Sequence, residues 1–125
     1  MLNTRRGKRF ETVLKRKLKD NGFRVLKLSI PETADLVLLN SKPVLIECKV
    51  CNQALWYRKN NEQYDRLIEM HKEGYDVFIA IKFTSHKSII KFFRLDDVYP
   101  YSVQQGMTLQ EFGTYLKVEN MVSKW

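Results

Sequence analysis

Hydrophobic and polar positions along this chain change period several times, and each change marks an element. Within residues 4–21, Phe10, Val13, Leu14 and Leu18 recur at three-and-four spacing, which predicts an amphipathic helix whose other faces carry Lys15, Arg16 and Lys19. Gly22 is its stop signal. Position 11 falls about 100° from Phe10 and about 20° from Leu18 around the helix axis, so Glu11 belongs to the edge of the apolar stripe.

The period then shortens to two. FRVLKLS (23–29) reads as a strand, IPET as a turn and ADLVLLN (34–40) as a second strand. VLIECKV (44–50) follows a turn ending in Pro43, so residues 23–50 read as an antiparallel meander. In its third strand Val44, Ile46, Cys48 and Val50 share one face, while Leu45, Glu47 and Lys49 share the other. The first set is core; the second puts two charges on a strand that otherwise looks built for burial.

A polar segment, NQALWYRKNNE (52–62), leads to a helix from about Glu62 to Glu73 with Tyr64, Leu67, Ile68 and His71 on one stripe, ended by Gly74. YDVFIAIKFT and SIIKFFRL read as two further strands, the first well buried, with SHK as the turn between them. Thr108 and Glu111 form a capping-box pattern ahead of Leu109, Phe112 and Leu116, which predicts a short helix over about 108–117. The predicted order is α-β-β-β-α-β-β-α: an α/β fold with a central mixed five-stranded sheet flanked by helices.

A length of 125 residues suits one domain, 1–125, with its core over about 5–95. Charge narrows the partners, since 22 Lys and Arg against 14 Asp and Glu leave +8, which suits a polyanion such as nucleic acid. The chain has neither an apolar run of membrane-spanning length nor a signal-peptide core near its amino terminus, so an intracellular, cytoplasmic location without membrane association is expected. Two cysteines fit a reducing compartment. Cys48 and Cys51 form C-x-x-C with no second pair and no helix directly after it, so zinc or redox chemistry is not expected there. His71 and His86 read as a stripe residue and a turn residue, and no phosphate loop calls for a nucleotide cofactor.

The acids carry the chemistry. Asp35 at the head of one strand and Glu47 near the end of its antiparallel neighbour can lie side by side. Paired carboxylates resist joint ionisation unless a cation sits between them, and Mg²⁺ is the hard-oxygen cation for such a place. Lys49, one pleat repeat from Glu47, could orient the attacking water and stabilise charge on phosphoryl oxygens. A lone E-x-K on a strand is most often a solvated face. The apolar flank, the upstream acid, Glu11 and the basic charge together point instead to metal-assisted phosphodiester hydrolysis.

This combination resembles the signature of the PD-(D/E)XK nuclease superfamily, whose fold is restriction-endonuclease-like. The opening RRGKRFETVLKRKLKDNGFRV resembles the start of archaeal-type Holliday junction resolvases, ADLVLLNSKPVLIECKV their D-(L/I)-V and I-E-x-K strand pair, and RLIE, VFIAIKF and YSVQQGMTLQEF their later segments, over about residues 5–117. Ala34 stands where the superfamily has a proline. The resemblance implies Glu11, Asp35 and Glu47 as metal-site acids, the Cys48 carbonyl as a further ligand and Lys49 as the catalytic lysine. It also implies a serine-bearing loop that contacts the scissile strand, for which Ser29 is the nearest equivalent and Thr33 the fallback.

Arg5, Arg6, Lys8 and Arg9 could hold phosphates beside Glu11, and Trp56, Tyr57, Arg58 and Lys59 offer stacking surface and charge after the catalytic strand. The implied function is a structure-selective endonuclease that resolves four-way DNA junctions by paired Mg²⁺-dependent hydrolysis, Mn²⁺ substituting. Cutting two equivalent strands calls for two sites related by a two-fold axis, hence a homodimer. Another superfamily nuclease acting on duplexes, flaps or ends, and a non-catalytic junction-binding protein, are the alternatives.

Overall fold

A computed structural model of the protein describes residues 2–29, 34–59 and 61–122, with side chains given within Gly7 to Asn120. Helix α1 (Leu2–Asp20) buries Phe10, Leu14 and Leu18, the stripe its spacing predicts. It closes through Gly22, whose φ of 91° lets the Phe23 N–H turn back to the Leu18 carbonyl at 3.1 Å. Strands β1 (Arg24–Lys27), β2 (Leu36–Leu39) and β3 (Val44–Cys51) then form the antiparallel meander. A two-residue strand β4 (Leu55–Trp56) and helix α2 (Asn61–Lys72) carry the chain across to β5 (Asp76–Phe83), which pairs with β3 in parallel.

Strand β6 (Ile89–Arg94) turns back antiparallel to β5, and the short strands β7 (Tyr101–Ser102) and β8 (Met107–Thr108) precede helix α3 (Leu109–Val122). The main sheet runs β1-β2-β3-β5-β6-β8, while β4 and β7 make a separate ribbon. The five strands expected from the alternation are present, with helices on both faces. The sixth strand and the ribbon are additions, because two-residue strands are too short to show a period of two. Helix α3 extends beyond residue 117, and its capping box is closed by a 2.9 Å bond from the Thr108 N–H to Glu111 Oε1 and a 3.1 Å bond from the Glu111 N–H to Thr108 Oγ1.

The sheet separates two apolar cores. Phe10, Leu14 and Leu18 meet Ile46, Phe78, Phe92, Phe112 and Leu116 on one face. Leu67 of α2 joins Leu45, Ile79, Ile81, Phe83, Phe93 and Tyr101 on the other. Covering on both faces explains why β3 and β5 read as nearly continuous apolar runs. Among the described residues no helix is long and apolar enough to cross a membrane.

Phe112 stacks on Phe92 at 4.0 Å between ring centroids and meets Phe78 edge-on at 4.9 Å. Phe112→Ala should therefore lower unfolding free energy by about 3–5 kcal/mol. Val118→Ala, at a half-exposed position on the same helix, should change it by no more than about 0.5 kcal/mol. Urea unfolding of both variants checks the contrast; equal, small losses would contradict the packing described.

Candidate active site

Strand register decides which acids meet. Leu36 pairs with Ile46 and Val37 with Leu45; the ladder ends there, and Asp35, one residue ahead of β2, lies close enough to Glu47 for their carboxyls to share a hydrogen bond. Asp35 is held on both sides: its N–H donates to the Ile46 carbonyl at 3.1 Å, and its carbonyl accepts the Leu28 N–H at 2.8 Å. Its carboxylate Oδ2 accepts the Cys48 N–H at 2.8 Å. The end of β1, the residue ahead of β2 and the stretch of β3 beyond its pairing with β2 thus converge.

Glu47, 3% exposed, is the only buried charged or polar residue among those described. Its Oε1 accepts Gln63 Nε2 at 2.8 Å and lies 3.6 Å from Lys49 Nζ. Lys49 Nζ in turn donates to Gln63 Oε1 at 2.7 Å. The other oxygen, Oε2, is buried and accepts no hydrogen bond from an N–H or hydroxyl group of the protein. Burial first, then the charge of Asp35 and a hydrogen bond shared with its carboxyl, push Glu47 up to about 8, outweighing the opposing pull of Lys49 and Gln63. Two acceptors can share a hydrogen bond only through a proton, which supplies what the ionised pair lacks.

Glu11 approaches Asp35 from α1. Burial, followed by the Asp35 charge and a shared hydrogen bond, raises its carboxyl above the ordinary value against the pull of Lys27. Lys27 Nζ sits 3.3 Å from Glu11 Oε2. Burial, together with the charges of Asp35, Glu47 and Glu11, pushes the Cys48 thiol well up, so it stays protonated and is no nucleophile. Cys48 and Cys51 are both free thiols and, three apart on one strand, point to opposite faces.

Among the described residues no three ligand-type side chains converge as a formed metal nest; Asp35 is the shared member of two carboxyl pairs. The donor set still fits a hard divalent cation: it is all oxygen, and one buried oxygen lacks any donor. Mg²⁺ could take the place of the retained proton.

The remaining sequence candidates are dispersed around this centre. Lys8 and Arg9 are exposed on α1, about one turn or less from Glu11. Arg5 and Arg6 lie on the same helix, but their side chains are outside the described residues, as is Thr33; Ser29 is exposed just past β1. Trp56 stacks on Tyr101 at 5.5 Å, and the Arg58 guanidinium sits 3.8 and 4.0 Å from the ring centroids of Tyr64 and Tyr99. Tyr57 and Lys59 are exposed. This strap forms one wall of a cleft of about 550 Å³ that Glu47, Lys49 and Gln63 also line. Lys27 and Gln63 were not singled out by the sequence: one reads as an outward strand position, the other as an ordinary polar residue opening a helix.

A sequence model of the family described as archaeal Holliday junction resolvase (Hjc) matches residues 2–120. Among solved structures, that of Archaeoglobus fulgidus Hjc, a Holliday junction resolvase from an archaeal hyperthermophile, is similar at a TM-score of 0.70 and 20% identity, covering 87% of this chain and 96% of that one. Among curated proteins none matches the sequence.

The Glu47 proton ties stability to pH. Between the ordinary carboxyl value of 4.5 and about 8 the folded state keeps a proton that the unfolded chain has released. Raising pH through that window therefore lowers stability, by roughly 2–5 kcal/mol in all. Melting in chelator should show this decline. Glu47→Gln, which mimics the protonated form, should flatten it; an unchanged slope in that variant would assign the effect elsewhere.

Proposed function

This chain belongs to the archaeal Holliday junction resolvase family, and from that premise we propose that it is a metal-dependent endonuclease that resolves four-way DNA junctions. The observation that carries the proposal is the buried, donor-less oxygen of Glu47 beside Asp35, with Lys49 held near the other oxygen. Structural burial alone gives no reason to set a second acid, Asp35, against Glu47 in a strand that helices cover on both faces. A site that takes a divalent cation does.

Asp35, Glu47 and Glu11 would hold Mg²⁺, with the Cys48 carbonyl as a further ligand. When bound, the cation supplies Lewis-acid polarisation of the scissile phosphate and lowers the pKa of the attacking water. Lys49 offsets charge growing on the phosphoryl oxygens, as its position on the same strand face as Glu47 allows. Water attacks phosphorus in line and the 3′ oxygen leaves, giving 3′-hydroxyl and 5′-phosphate ends. Lys8 and Arg9, with Arg5 and Arg6 upstream, hold backbone phosphates next to that centre. Such contacts position DNA without reading bases, so selectivity comes from junction shape. Two equivalent strands are cut by two copies of the chain related by a two-fold axis.

Cleavage of an end-labelled four-way junction beside a linear duplex of the same arms, with Mg²⁺ and with chelator, tests the proposal. Paired symmetric nicks on the junction alone, and only with Mg²⁺, are expected. Duplex cutting would remove the junction selectivity, and tight binding without cuts would remove the catalysis.

Two variant sets separate chemistry from grip. Asp35→Asn and Glu47→Gln should abolish cutting while junction affinity stays within about twofold, because phosphate contacts lie on other residues; full-rate cleavage by either would take these acids out of the mechanism. Replacing Lys8 and Arg9 with alanine should instead weaken binding and reduce the slope of log affinity against log salt by about 2. A slope equal to that of the parent chain would sink the role given to this segment.

A further inference from the structure

We propose that Gln63 is a positioning residue of this active site: its side-chain amide bridges Glu47 and Lys49 and fixes both in the geometry that cutting requires. The inference rests on the endonuclease reading above. Gln63 Nε2 donates to Glu47 Oε1 at 2.8 Å, and Gln63 Oε1 accepts from Lys49 Nζ at 2.7 Å. The direct Lys49 to Glu47 approach is longer, 3.6 Å to the same Glu47 oxygen. The ammonium is therefore held by the amide rather than collapsed onto the carboxylate.

Three consequences follow from that arrangement. An amide can donate to an acid from its nitrogen and accept from a lysine at its oxygen at once, and it brings no charge to a site already crowded with acids. Occupying Glu47 Oε1 leaves Oε2 as the buried oxygen without a donor, so the amide decides which oxygen remains for a cation. The Lys49 ammonium has three N–H groups, and the bond to Gln63 orients the others.

The bridge is itself held firmly. Gln63 lies in the first turn of α2, next to Tyr64, whose hydroxyl reaches the Leu95 carbonyl at 3.4 Å and whose ring carries the Arg58 guanidinium. Leu67, one turn on, is buried in the second core. A side chain on a packed helix can fix its partners closely where a loop residue could not. Gln63 lines the cleft together with the two groups it aligns.

The test compares Gln63→Met, which keeps length and removes both bonds, with Gln63→Glu, which can accept from Lys49 but cannot donate while ionised. Single-turnover cleavage is measured with protein and Mg²⁺ saturating, on whichever DNA the wild-type chain cuts, alongside DNA affinity and melting midpoint. Both variants should cut about 10- to 100-fold more slowly, with affinity within about twofold of wild type. If Gln63→Met fails to fold, Gln63→Glu decides the outcome alone. Wild-type cutting rates in a folded variant, or a loss that follows affinity or melting midpoint instead of rate, would overturn the positioning role alone. A wild-type chain that cuts no DNA would overturn the endonuclease reading and this role together, so the two failures are distinguishable.

Discussion

Glu47 lies in a strand that helices cover on both faces, and a carboxylate in that position has to be met by a proton, a cation or a full set of donors. The protein supplies only part of the set. Gln63 and Lys49 serve Oε1, no N–H or hydroxyl donor serves Oε2, and the carboxyl beside it belongs to a second acid, Asp35. Desolvation and the Asp35 charge prevail over the lysine and the amide, so without a metal the proton stays on. A lysine alone cannot undo this, because it stands off on the already-bonded oxygen.

Topology places that constraint where a substrate can reach it. Strands β1, β2 and β3 alternate in direction, so the last residue of β1, the residue ahead of β2 and the stretch of β3 beyond its pairing with β2 come together. Lys27, Asp35, Glu47 and Lys49 occupy those positions. Pairing β3 with β5 in parallel demands a crossover, and the crossover starts from this same stretch. Its helix arrives with the first turn beside Lys49. The parallel pairing that buries the second face of β3 thus also delivers Gln63.

Much of this arrangement was legible in the residues, and what was not has a physical reason. The stripe of α1, the meander, the crossover helix and the Thr108–Glu111 cap each follow a rule that acts over one or two turns or a few strand residues. Glu11 could be placed at the edge of its stripe by angle alone, and the Asp35 and Glu47 pairing followed from strand order. Gln63 could not be found that way, because its meaning depends on a contact across 16 residues of chain that periodicity does not report. Lys27 alternates like any outward residue until the helix that faces it is known. The ribbon of β4 and β7 pairs segments whose strands are two residues long, below the length at which a period can be seen.

The strap that follows β3 shows why composition is a weaker guide than contact. Trp56, Tyr57, Arg58 and Lys59 share aromatic and basic character, which suits a nucleic-acid surface, yet their surroundings differ. Trp56 is stacked on Tyr101, and the Arg58 guanidinium is enclosed by Tyr64 and Tyr99 while its backbone N–H donates to Tyr99 Oη at 2.7 Å. Cation–π contacts at such a largely solvent-exposed site are worth about 0.5–1 kcal/mol, which helps to order a strap whose paired strands are only two residues each. Tyr57 and Lys59 remain exposed beside the cleft. Order set in advance lowers the entropy lost when a ligand docks. The caged pair is therefore suited to shaping the wall of the cleft, and the exposed pair to meeting what enters it.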